Sequence, residues 1–347
     1  MIGSDLRSSS SKNNILHKAQ EVVGNLLSKI KQVETQRVNL QAEEGYKCKR
    51  RKNSSYKQVM SRTVDLIFES KWQDEGVGAR VRRSIGHAEL RNFDPFLLCD
   101  EFCGRAPAGF PDHPHRGFET VTYLLQGEVN HEDFMGHKGK IKAGDLQWMT
   151  AGRGIVHCEM PGGKEDTLGI QLWVNLKRTD KLVKPAYQEL VDKDIPKGEK
   201  SGVKVKVIAG EAFGIKSPVY TRTPTSYLDF TLSSGSQLDQ PITSDWNCFA
   251  YILSGEAAFG PEGKEKICTA HHTVALKRDG DHIHVHNKSS EPCHFILVSG
   301  KPIGEPIVQH GPFVMTTQEE IMQAMSDYRG AKNGFENAAT WNSSYAD

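Results

Sequence analysis

Phe110-Pro-Asp-His-Pro-His-Arg-Gly-Phe-Glu-Thr-Val-Thr-Tyr-Leu-Leu125 is the stretch on which the reading of this chain turns. His113 and His115 are two apart, so on an extended strand both imidazoles point to one face. Phe118 to Leu125 then alternates β-branched and aromatic residues and runs into Gly127, the pattern of a strand feeding a turn. Forty-two residues after His115 comes His157-Cys-Glu159, again two ligand-type residues at strand spacing, bracketed by the turn signals Gly144-Asp145 and Ala151-Gly-Arg-Gly154. Two such pairs on neighbouring strands of a small barrel would converge on one ion through three nitrogens and one oxygen. That donor set suits a divalent first-row metal better than calcium or magnesium. Parity sends Cys158 to the opposite face, where it is expected to pack. Pro114 cannot donate to a ladder, so the strand start belongs at a sheet edge or a bulge.

At 347 residues the chain is long enough for two domains. A net charge of +1 gives no global field for nucleic acid or membrane. No apolar run approaches the roughly 18 residues needed to span a bilayer, and no secretory h-region follows the start. Seven cysteines are scattered without a CxxC pair, Cys99 and Cys103 being the closest two, which fits a reducing compartment. The expectation is a soluble intracellular protein.

Residues 1–61 read as an extension, helical or disordered. Leu16, Ala19, Val23, Leu26, Ile30, Val33 and Leu40 fall near one stripe. An inert appendage, a short coiled-coil partner site and a mitochondrial presequence all remain open for it. Lys47-Cys-Lys-Arg-Arg-Lys52 carries five basic residues in six, either a solvated linker or a nuclear-import type of signal. From residue 62 to 190 strand-like alternation dominates, as in Leu168, Ile170, Leu172 and Val174 with Gln171 and Trp173 on the other face. Residues 191–202, rich in charge with Pro196 and Gly198, read as a linker. A second β-rich region covers 203–316. Thr317-Gln-Glu-Glu320 is a capping-box signature that opens a helix within 317–347, expected to pack back on a barrel.

Tyr123-Leu-Leu-Gln-Gly-Glu128 returns as Tyr251-Ile-Leu-Ser-Gly-Glu256, offset by 128 residues. Two similar barrels follow from this repeat. On that offset His113 and His115 fall on Pro241 and Thr243, which bind no metal. Asp281-His-Ile-His-Val-His286 places three histidines on one strand, spread over about 14 Å. That is too far for one ion, so these are expected to face solvent.

His113, His115, Glu119, Gly127, Gly144, Gly152 and His157 resemble the two cupin motifs. Thr150 stands where proline is usual, and four residues rather than two separate Gly152 from His157. Those departures point to one branch. Gly76-Val-Gly-Ala-Arg-Val-Arg-Arg83, Phe110 to Thr120, Gly144 to Gly154 and Gly311-Pro-Phe-Val-Met315 closely resemble the pirin family, from about residue 62 to near Trp341. The resemblance implies an all-β bicupin: two tandem jelly-roll barrels, with a C-terminal helix and the N-terminal extension added. It implies one iron per chain, in the N-terminal barrel only, held by His113, His115, His157 and Glu159. In many other cupins the carboxylate would be Glu119, and parity alone does not choose between the two. The implied activity is dioxygenation of quercetin-type flavonols with O2, Glu159 doubling as the proton acceptor. The alternative, not exclusive of the first, is a redox-sensing cofactor of transcription-factor proteins in nucleus and cytoplasm, acting by protein contact without direct nucleic-acid binding. A zinc-loaded structural cupin is the third option. The chain is expected to be a monomer.

Overall fold

The computed structural model describes residues 60–345. The expected N-terminal helix and the 47–52 basic cluster lie outside them. The described chain is almost entirely antiparallel sheet, with one α-helix near its end. Each half forms a seven-stranded sheet and a four-stranded sheet. In the first half the Phe118–Gln126 strand lies between Leu146–Thr150 and Thr167–Asn175. In the second, Asn247–Ser254 lies likewise between His272–Leu276 and Cys293–Gly300. The repeated hexapeptide is the hairpin that leaves each of these central strands. It turns at Gly127 (φ +74°) and Gly255 (φ +75°), where a Cβ would meet Asp166 O at 2.9 Å and Pro292 O at 2.3 Å. Glycine is therefore required twice, at the same place in the repeat.

With the halves divided before Ala186, the first strand of each sits in the other half's sheet. Val64–Glu69 pairs with His272–Leu276, and Ala186–Leu190 pairs with Leu146–Thr150. Residues 62–190 thus do not build the first barrel alone: Val64 and Ile67 pack on the core of the second. A register shift after Val64 puts Val64 and Ile67 on the same core, and no local pattern says which barrel that core belongs to. The expected linker also needs correction. Within 191–202, Asp192–Asp194 is a 3-10 turn and Lys197–Lys200 is a strand on Val203–Ala209. It is the last strand of its sheet, and its lysines are a usual guard on an edge.

The two barrels are filled differently. The second holds a large apolar core that includes Phe230, Phe259, Ile283, Val285 and Phe295. The first has a small apolar cluster, Val81, Phe102, Leu124, Val129 and Ile141, which leaves much of its interior to polar side chains. The barrels pack through their seven-stranded sheets, where Val121, Trp148 and Leu172 meet Tyr227, Phe249 and Val298.

The expected C-terminal helix is Gln318–Arg329, with Thr317 as N-cap accepting from the Glu320 amide at 3.2 Å. It packs on the first barrel through Ile321 and Ala324 against Ile155 and Val156. Arg116 joins them: it pairs with Asp327 at 2.8 Å, both fully buried, and donates to the carbonyls of Arg153 and Asn333 at 2.6 Å each. The chain end thereby clamps the strand that carries His113 and His115.

Candidate metal centre

Phe110–His115 is the end strand of the first barrel's four-stranded sheet, as its proline requires, and pairs with Ile155–Pro161. His113 lies opposite His157, and the register then slips so that Glu159 faces Phe110. This is the bulge that Pro111 and Pro114 invite. The three imidazoles converge, with ring centroids 4.7 Å apart for His113 and His115, 4.5 Å for His113 and His157, and 5.0 Å for His115 and His157.

Their protonation state follows from burial. His113 titrates below the ordinary histidine range, and His115 and His157 well below it, in each case chiefly because burial disfavours the imidazolium. His113 Nδ1 lies 2.8 Å from the Pro111 carbonyl, which makes that nitrogen the donor and leaves Nε2 a lone pair. That Nε2 is 3.0 Å from His157 Nε2. Neutral nitrogens this close, with donor atoms all within 4.8 Å, form a set fit to hold a metal ion.

Glu159 stands just outside that group. Its carboxylate accepts from Thr122 Oγ1 at 2.6 Å and from Gln171 Nε2 at 3.0 Å, and burial pushes its pKa up. It lines the same cavity as His113 and His115, about 610 Å³ in volume, whose other walls include Phe102, Phe110 and Trp173. Glu119 is elsewhere. It accepts from Trp148 Nε1 at 3.0 Å and Thr150 Oγ1 at 2.7 Å, with Arg222 at 4.0 Å, and lies between the barrels. The parity that made it a rival fails at Gly117 (φ +92°), where the chain leaves one sheet and enters another. Cys158 is fully buried against Ser343 of the C-terminal segment, away from the imidazoles.

Thr122 and Gln171 were not singled out from the sequence. Their signal was there: polar residues on the inward face of strands otherwise rich in β-branched and apolar residues. In the second barrel the inward positions of the His282–His286 strand are Ile283 and Val285, both fully buried. Its three histidines lie on the outer face, half-buried rather than freely solvated, with His284 Nδ1 2.7 Å from Asp239.

Comparison with known proteins places this architecture. The pirin family profile matches residues 78–174, and that of the pirin C-terminal cupin domain matches 227–334. Human pirin is 58% identical over 284 residues, 82% of this chain and 98% of its own. The chain belongs to the pirin family. A pirin-like protein of Solanum lycopersicum is 60% identical over 269 residues, covering 78% of this chain and 92% of its own. Among solved structures, quercetin 2,3-dioxygenase from Acinetobacter baumannii is 32% identical with a TM-score of 0.72, covering 79% of this chain and 99% of its own. In pirin terms, the converging imidazoles lie in the Pirin-profile half, and the half matching the C-terminal profile offers apolar side chains in their place.

Proposed function

We propose that this pirin binds one iron ion per chain at His113, His115, His157 and Glu159 and acts there as a flavonol 2,3-dioxygenase. One observation carries the reading: three neutral imidazoles converge, and two of them, His113 and His115, line with a carboxylate of raised pKa one cavity with aromatic walls. The name borne by the Acinetobacter structure supports it. Bound Fe(II) would supply the one-electron chemistry that lets a closed-shell flavonol combine with O2. Glu159, steadied by Thr122 and Gln171, would take the proton of the flavonol 3-hydroxyl, and its burial makes it a stronger base than an exposed glutamate. Phe102 and Phe110, edge to face at 6.4 Å, and Trp173 offer apolar surfaces to planar rings. In the net reaction both atoms of O2 enter the product, the central ring opens, and one ring carbon leaves as carbon monoxide.

The test is O2 uptake and carbon monoxide release with quercetin, after anaerobic loading with Fe(II). Wild type that consumes no O2 ends the enzyme reading. His157→Ala, checked for fold by circular dichroism, should lose iron by elemental analysis and electron paramagnetic resonance. A cofactor role with transcription-factor proteins is compatible with this chemistry, but no described residue favours it. If a reporter fusion without residues 1–60 still enters the nucleus, the Lys47–Lys52 cluster has no part in such a role.

A further inference from the structure

A second group of ligand-type side chains lies in the first barrel, and none of it lines the cavity just described. His131 is on the Glu128–Asp133 strand, His137 follows in the turn, and Glu189 is on the exchanged Ala186–Leu190 strand. Their donor atoms all lie within 4.8 Å of one another. Glu189 Oε1 is 3.2 Å from His131 Nε2 and 3.1 Å from His137 Nε2. Zinc bonds of about 2.0–2.1 Å hold two ligand atoms ~3.0–3.4 Å apart, between a right and a tetrahedral angle. The two separations match edges of such a shell.

His131 supplies the second observation. It is 3% exposed, and its Nε2 points into the cluster at 3.2 Å from Glu189 Oε1 without the alignment of a hydrogen bond. A buried imidazole nitrogen that faces a carboxylate without hydrogen-bonding it calls for an explanation, and an ion between them is one. The donors around it are fixed. Gln147 Nε2 donates to the same Glu189 oxygen at 2.7 Å. The His131 and His137 rings stack at 5.1 Å, and Tyr187 stacks on His137 at 4.0 Å. Asp133 accepts from the amides of Met135 and His137 at 2.8 and 2.9 Å and from the Tyr187 hydroxyl at 2.8 Å, which pins the turn. A Cβ at position 139 would lie 2.5 Å from His131 Nε2, so Gly139 is what admits the imidazole.

We propose that His131, His137 and Glu189 form a second divalent-metal site, suited to zinc, that ties the exchanged strand to the four-stranded sheet of the first barrel. Two imidazoles and a carboxylate leave a fourth position open on the side where His137 and Glu189 are 33% and 37% exposed. The site does not depend on what the first centre binds.

The test uses iron-loaded full-length protein titrated with zinc against a chromophoric chelator, with iron and zinc measured after desalting. The expected result is one further equivalent of zinc per chain, together with a higher melting temperature. His137→Ala and Glu189→Gln, both at partly exposed positions, should lose that equivalent and the thermal shift while keeping iron. His157→Ala should keep the zinc equivalent while losing iron. The proposal is overturned if wild type takes up no further zinc, if zinc only displaces iron one for one, or if the added equivalent survives in both His137→Ala and Glu189→Gln.

Discussion

The Tyr123 hydroxyl donates to Asp229 Oδ2 at 2.6 Å, crossing from the first barrel to the second. The contact is returned 128 residues later, where Tyr251 donates to Glu101 Oε2, also at 2.6 Å. Burial, with the carboxylate alongside, pushes both phenol pKa values far up, so each tyrosine stays a donor. Tyr123→Phe and Tyr251→Phe should each lower the free energy of unfolding by about 1–3 kcal/mol, the usual worth of a hydrogen bond to a charged group. Asp229 keeps His294 at 2.6 Å and Glu101 keeps His271 at 3.0 Å, which limits the loss. Urea denaturation of both single variants and the double variant measures it. A change below about 0.5 kcal/mol in each would mean that water replaces the phenol at no cost.

Glu159→Gln preserves shape but removes the base. With iron content confirmed equal to wild type, kcat with a flavonol should fall by about 10²–10⁴, the range for a lost general base. If iron is lost instead, Glu159 serves first as a ligand, and kcat then says nothing about proton transfer.

Gly117→Ala tests the corner between the His113–His115 strand and the Phe118–Gln126 strand. At φ +92° a Cβ would lie 2.0 Å from the Val314 carbonyl oxygen, which is backbone and cannot step aside. A loss of about 2–4 kcal/mol is expected from strain and displacement together. Iron binding should weaken as well, because the corner sets where His115 points. Thermal denaturation and metal analysis read the two effects separately.

Lys181 is fully buried, donating to the Gly117 carbonyl at 2.9 Å, Asn175 Oδ1 at 2.6 Å and the Val314 carbonyl at 3.1 Å. Burial lowers its pKa to about 8. An unfolded lysine titrates near 10.4, so between these values the unfolded chain holds the extra proton. This group therefore adds stability as pH rises from about 8 to about 10, by at most about 3 kcal/mol. Stability curves of wild type and Lys181→Met should diverge in wild type's favour across that window. Parallel curves would show that the ammonium persists in the folded state.

Much of the site is legible in Phe110 to Leu125, because strand parity, glycine turns and proline's missing donor are local rules. They gave the His113–His115 pair its common face and its edge position, and the hexapeptide repeat gave two barrels. Local rules stop where the chain changes sheets. Parity carried past Gly117 made Glu119 a rival for the metal, and only the corner at that glycine removes it. Partner choice is equally invisible: nothing local in Val64–Glu69 names the sheet it joins. Nothing in the sequence groups His131, His137 and Glu189, because Glu189 comes from a strand far along the chain and its spacing from the histidines carries no period.

Because Val64–Glu69 completes the far barrel and Ala186–Leu190 completes the near one, the chain is wired like two arm-swapping subunits fused end to end. Severing it between Val183 and Ala186 would yield fragments that each carry a strand missing from the other. Neither fragment should stand alone in solution, yet the two mixed together should knit back into one particle.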